Sequence, residues 1–106
     1  MTEIKLNAGQ HKMLCEALRR YTQFHKDESL TSARTGLTYA TYAKPVTDCH
    51  PQLMRFGNYQ KRCLGWLTLT EHGAKIVQVW LDEGRTYEDI ESGWIPPRIV
   101  TIPNGE

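Results

Sequence analysis

The sequence predicts an α+β domain, and three observations carry that expectation. Met13, Leu14, Ala17, Leu18 and Tyr21 recur at the three-and-four spacing of a helix with one buried stripe. Leu67 and Leu69 alternate with Trp66 and Thr68, the period of a strand with one face on a core. Directly after Thr70, Ile76, Val77, Trp80 and Leu81 return to helical spacing, so strand, sharp turn and helix follow one another without a linker.

A chain of 106 residues can bury a core without disulfides or metal. Its 40% hydrophobic and 24% charged residues exclude wholesale disorder. No apolar run approaches the roughly 20 residues of a membrane span. Met1-Thr-Glu-Ile-Lys also lacks the apolar centre of a secretory signal. The expectation is a cytoplasmic chain with no membrane partner. Net charge is +1 but uneven: 10 Lys+Arg face 5 Asp+Glu up to Arg62, and 3 face 7 beyond it. Such a split predicts one basic and one acidic surface, provided the fold keeps the halves apart.

Taken in order, Leu6-Asn7-Ala8-Gly9-Gln10 reads as a helix start, with Asn7 as cap and Gln10 at the capping-box position. The helix is expected over residues 8–21. Residues 23–28 form a polar connection anchored only by Phe24. Over residues 29–44, Leu30, Ala33, Leu37, Ala40 and Lys44 give a narrow helical stripe, with Ser32, Thr35, Tyr39 and Tyr42 on the far side. Thr31, Thr35, Thr38, Thr41 and Gly36 oppose it, the glycine by about 1 kcal/mol, and a strand over 37–42 is the rival. The helix is preferred, ended by Pro45. Leu53-Met-Arg-Phe reads as a strand turning at Gly57-Asn58 and returning antiparallel over 64–69; a short helix from Pro51 is the alternative. Thr70 caps the next helix, Glu71 places negative charge in its first turn, and Gly84 stops it. Tyr87 and Ile90 mark one further helical turn. The proline-limited stretch from Ser92 onward is extended and lies on the body. This gives a domain over 1–84 and a C-terminal extension over 85–106.

That order of parts resembles a winged helix-turn-helix domain. Leu67-Thr68-Leu69-Thr70-Glu71-His72-Gly73 resembles the "LT-x-x-G" junction where the second wing strand enters the last helix of many bacterial winged-helix regulators. Leu6-Asn7-Ala8-Gly9-Gln10 resembles the "L-T-x-x-Q" opening of their first helix. The likeness spans roughly residues 5–83. It implies a small winged-helix-like domain, helices with a β-hairpin wing, followed by an extended tail. Its implied ligand is double-stranded DNA, with Ser32, Thr35, Tyr39 and Tyr42 facing the groove. Arg34 and Lys44 would flank that groove, and Arg55, Lys61 and Arg62 would lie in or near the wing. The implied function is a non-enzymatic DNA-binding module of bacterial or phage regulation, acting as a homodimer where two half-sites are read. The alternative is a protein-binding adaptor or inhibitor of phage type. It is favoured by a reading face without Arg, Lys, Asn or Gln, where phosphate neutralisation normally dominates affinity.

Other chemistries find little support. Cys49, His50, Cys63 and His72 lack the closely paired spacing of a zinc site, and adjacent Cys-His is a poor chelate. Nothing singles out Cys15, Cys49 or Cys63 as a nucleophile, and no metal, cofactor or catalytic residue is expected. Trp66, Trp80 and Trp94 read as core and tail anchors. For Tyr39, Tyr42 and Tyr59, packing and partner contact both stay open. For His25, His50 and His72 the sequence shows no partner that would make any of them a switch.

Overall fold

The computed structural model describes residues 1–37, 40–56 and 66–103. It begins with a strand that the sequence pattern did not reveal, β1 (Thr2–Lys5). Helix α1 (Ala8–Phe24) follows as its start signal predicts: Asn7 Oδ1 accepts Gln10 N–H at 2.8 Å and Gln10 Oε1 accepts Asn7 N–H at 3.0 Å. The helix runs past Tyr21 and buries Leu14, Ala17, Leu18 and Thr22. Phe24 is not an anchor: it stands 64% exposed at the helix end. The connection is held instead by His25 Nδ1 against Glu28 Oε2 (2.6 Å) and by the Tyr21 hydroxyl donating to Glu28 O (2.7 Å).

The expected helix over 29–44 is not formed as one element. Residues 29–33 turn back on themselves, with Ala33 N–H donating to Ser29 O at 3.0 Å. The two-residue strand β2 (Gly36–Leu37) comes next, and then helix α2 (Ala40–Thr47). The reason lies in the sheet. Thr35 N–H donates to Leu67 O at 3.0 Å, so the segment spends its backbone donors on strand pairing. A side chain at Gly36 would crowd Leu67 Cβ at 3.0 Å, which is why the glycine suits the strand. Nor does Pro45 end α2; it lies inside it. Its nitrogen forgoes one helical bond, and its ring packs so closely on α1 that a Cβ at Gly9 would meet Pro45 Cγ at 2.7 Å.

Strands β3 (Met54–Phe56) and β4 (Trp66–Leu69) pair antiparallel as expected, with Arg55 opposite Thr68, and no helix starts at Pro51. The turn at Gly57-Asn58 falls outside the described residues. Helix α3 (Glu71–Asp82) is capped by Thr70, whose Oγ1 accepts Gly73 N–H at 3.1 Å. Gly84 takes the left-handed conformation, φ 84°, just past its end. The further helical turn is α4 (Tyr87–Glu91), with a Thr86–Asp89 capping box. Thr22 Oγ1 on α1 accepts Tyr87 N–H at 2.8 Å and fastens α4 in place.

The C-terminal stretch does more than lie on the body. Its last part is β5 (Ile99–Ile102), antiparallel to β1, and Val100 and Ile102 alternate into the core. The two sheets have strand orders β1-β5 and β2-β4-β3. One core joins α1, α2, α3 and both sheets, with fully buried Trp80 as its largest side chain. Trp94 meets Trp80 edge-on at 6.5 Å, and the Arg85 guanidinium covers Trp94 at 4.5 Å. The described residues therefore form an α+β fold of four helices and two small antiparallel sheets. No helix among them is long and apolar enough to cross a membrane.

Candidate functional site

Strand alternation sets up the most distinctive surface. Leu67 and Leu69 of β4 are fully buried, so Trp66 and Thr68 take the opposite face of the sheet. Arg55 of β3, cross-strand from Thr68, is exposed between the buried Met54 and half-buried Phe56. The turn over 29–33 then folds across this face. Buried Ala33 anchors it, and the next residue, Arg34, lays its guanidinium 3.9 Å from the centre of the Trp66 ring. Between turn and sheet lies a cleft of about 370 Å³ lined by Thr31, Ser32, Arg34, Arg55, Phe56, Trp66 and Thr68.

Among the described residues no acidic side chain lines the cleft and neither arginine is ion-paired. Stacking on Trp66 is worth about 0.5–1 kcal/mol at an exposed site and holds the Arg34 fork in a defined place. Two guanidiniums flanked by the hydroxyls of Thr31, Ser32 and Thr68 make a donor-rich concavity. It can grip planar or tetrahedral anions such as carboxylate or phosphate.

Of the residues expected to meet a ligand, the structure brings Ser32, Arg34 and Arg55 together in this cleft. Thr35 is corrected: it is fully buried, so its hydroxyl offers nothing to a groove outside. Lys44 is exposed on α2 and does not line the cleft. Tyr42 lies within α2, while Tyr39, Lys61 and Arg62 fall outside the described residues. Trp66, expected as a core anchor, is half-buried and forms the cleft wall. Its phase was the missed signal, because a residue flanking Leu67 on a strand points away from the core.

A larger groove, about 610 Å³, runs between the end of α1 and α3, past Tyr21, Leu30, Ala74 and Gln78. It sets Glu71 and Lys75 one helical turn apart, so its charges offset one another. Its size exceeds that of the arginine cleft, but it gathers no set of like-charged groups. Loss of solvent, and secondarily Lys75, hold His72 below its ordinary value. Burial pushes the Cys15 thiol up, which disfavours the reactive thiolate. Among the described residues no three His, Cys, Asp or Glu side chains come together as a metal site; Cys63 is not among them. Compared with known proteins, the chain matches no protein-family model, no curated protein and no solved structure.

Proposed function

We propose that the protein is a non-enzymatic DNA-binding module of bacterial or phage regulatory type, built on a winged-helix-like scaffold. The scaffold reading draws support from the β2-β4-β3 strand order and from the Thr70-capped entry of β4 into α3. On that reading the connection between β3 and β4, outside the described residues, is the wing. The observation that carries the ligand is the cleft in which Arg34, stacked on Trp66, and Arg55 converge with no acidic group among the described lining residues. In this version of the module the turn over 29–33 and the outer sheet face, rather than an exposed reading helix, grip the phosphate backbone. Phosphate contacts of this kind position a protein on double-stranded DNA without reading its sequence.

The test is fluorescence anisotropy with a random duplex at two salt concentrations. Two to three phosphate contacts predict a loss of affinity of about ten- to fortyfold between 50 and 200 mM salt. Arg34→Ala combined with Arg55→Ala should weaken binding and lower the slope of log affinity against log salt by about two. Absence of binding at low salt, or a slope unchanged in the double variant, would refute the reading. A protein-binding adaptor is the second reading, favoured by Ile95 and Ile99, which stand 71% and 54% exposed near the chain's C-terminal end.

A further inference from the structure

In its sheet β1 has a single neighbour, β5, and among the described residues its other edge is open. The register runs on through Leu6, whose N–H donates to Arg98 O at 2.8 Å. Hydrogen-bonded pairs alternate along an antiparallel ladder, so Thr2, Ile4 and Leu6 turn their backbone groups towards β5. Glu3 and Lys5 must then turn their N–H and C=O groups outward, to the open edge. Ile4 sits opposite buried Val100, and Glu3 and Lys5 hold the exposed face opposite Thr101 and Ile99. No ion pair involves either charge among the described residues.

We propose that this edge pairs with the same edge of a second copy of the chain, β1 antiparallel to β1 about a two-fold axis at Ile4. Glu3 then lies opposite the partner's Lys5, and Lys5 opposite the partner's Glu3. Both are hydrogen-bonded pairs, because those residues own the outward backbone groups. Sliding the strands by two residues, the nearest step that keeps outward groups opposed, sets Glu3 against its own copy or Lys5 against its own copy. Like charges directly opposite are unfavourable, so only the central register is attractive. Charges on an edge strand ordinarily discourage pairing. An acid and a base two positions apart instead make this edge self-complementary, the requirement of a two-fold interface. The result is a continuous sheet ordered β5-β1-β1-β5. So short an edge falls below the area of a standard stable interface, so the dimer is concentration-dependent.

Sedimentation equilibrium of the full chain, from about 10 μM to about 1 mM, reads the dimer directly. Glu3→Lys or Lys5→Glu alone should raise the dissociation constant at least about tenfold, since each makes both cross-strand pairs repulsive. The double exchange Glu3→Lys/Lys5→Glu should restore it, and an equimolar mixture of the two single variants should form heterodimers. Circular dichroism of each variant checks that the fold is retained. A monomer throughout the range, a dimer indifferent to the single reversals, or a double exchange as weak as the singles would each overturn the proposal.

Discussion

Replacing Gly73 by alanine probes the junction on which the sheet and α3 depend. A Cβ there would overlap the Leu53 carbonyl oxygen and sit 3.0 Å from Leu53 C and 3.2 Å from Leu69 Cδ2. That oxygen already accepts Thr70 N–H at 3.1 Å, and Thr70 Oγ1 donates to the neighbouring Gln52 O at 2.5 Å. The methyl cannot be housed by turning a flexible side chain, because its obstacle is backbone. Overpacking of this kind costs about 1–3 kcal/mol, and loosening the Thr70–Leu53 bond about 1 kcal/mol more. Better helix propensity returns about 1 kcal/mol. The net expectation is a destabilisation of about 1–3 kcal/mol, or a melting temperature lower by about 5–15 °C for a domain of this size. Urea unfolding followed by far-ultraviolet circular dichroism measures it, with an unchanged m value showing that the native fold persists. If Gly73→Ala were as stable as the parent or more so, the clash would not outweigh the propensity gain. The close approach of Leu53 to α3 would then be wrong, and with it the placement of β3.

Two further outcomes test other parts of the fold. Ile102→Ala should cost about 2–4 kcal/mol because its side chain is in the core, whereas Ile99→Ala, on the exposed face of the same strand, should stay within about 0.5 kcal/mol; paired urea titrations decide. His72 is held below its ordinary value, chiefly by loss of solvent and then by Lys75, so the unfolded chain takes up a proton that the folded chain resists. Its contribution is therefore present above the unfolded value and is lost as pH falls through the folded one. His72→Gln should flatten the decline of melting temperature between about pH 7 and about pH 5.

The elements legible in the sequence are those whose signals are local. Asn7 with Gln10, Thr70 with Gly73, and Gly84 are caps, and a cap acts on groups within one turn of itself. The stripes of α1 and α3 are long enough for periodicity to dominate. What was not legible depends on distant partners. The segment Thr2–Lys5 carries no distinctive pattern and becomes a strand because Ile99–Ile102 lies beside it, nearly the whole chain away. For the same reason β5, read as a surface segment, proved to bury Val100 and Ile102. Over residues 29–44 a narrow three-and-four stripe competed with an unpaired edge of β4. The edge won at Thr35 and Gly36, where β-branched and glycine residues weaken a helix and suit a close strand pair.

The candidate site was partly legible because polar positions opposite an apolar stripe stay outside even when the element type is misjudged. Ser32 and Arg34 illustrate this: expected on or beside a reading helix, they arrive at the surface from a turn instead. Thr35 shows the limit. In a helix it would share the outer face with Ser32, but in an extended segment pairing with Leu67 it is buried. Trp66 failed the other way. Bulk argued for the core, while its alternation with Leu67 argued against it, and parity is the stronger constraint because one face of a strand cannot be exchanged for the other without a register slip. The surplus of basic residues before Arg62 did not locate the cleft either. Arg34 and Arg55, with 20 residues between them, meet only because β3 and β4 align Arg55 with Thr68 and the Ala33 turn drops Arg34 onto Trp66. Convergence of charge here is a consequence of sheet register, a quantity that counting charges along a chain does not contain.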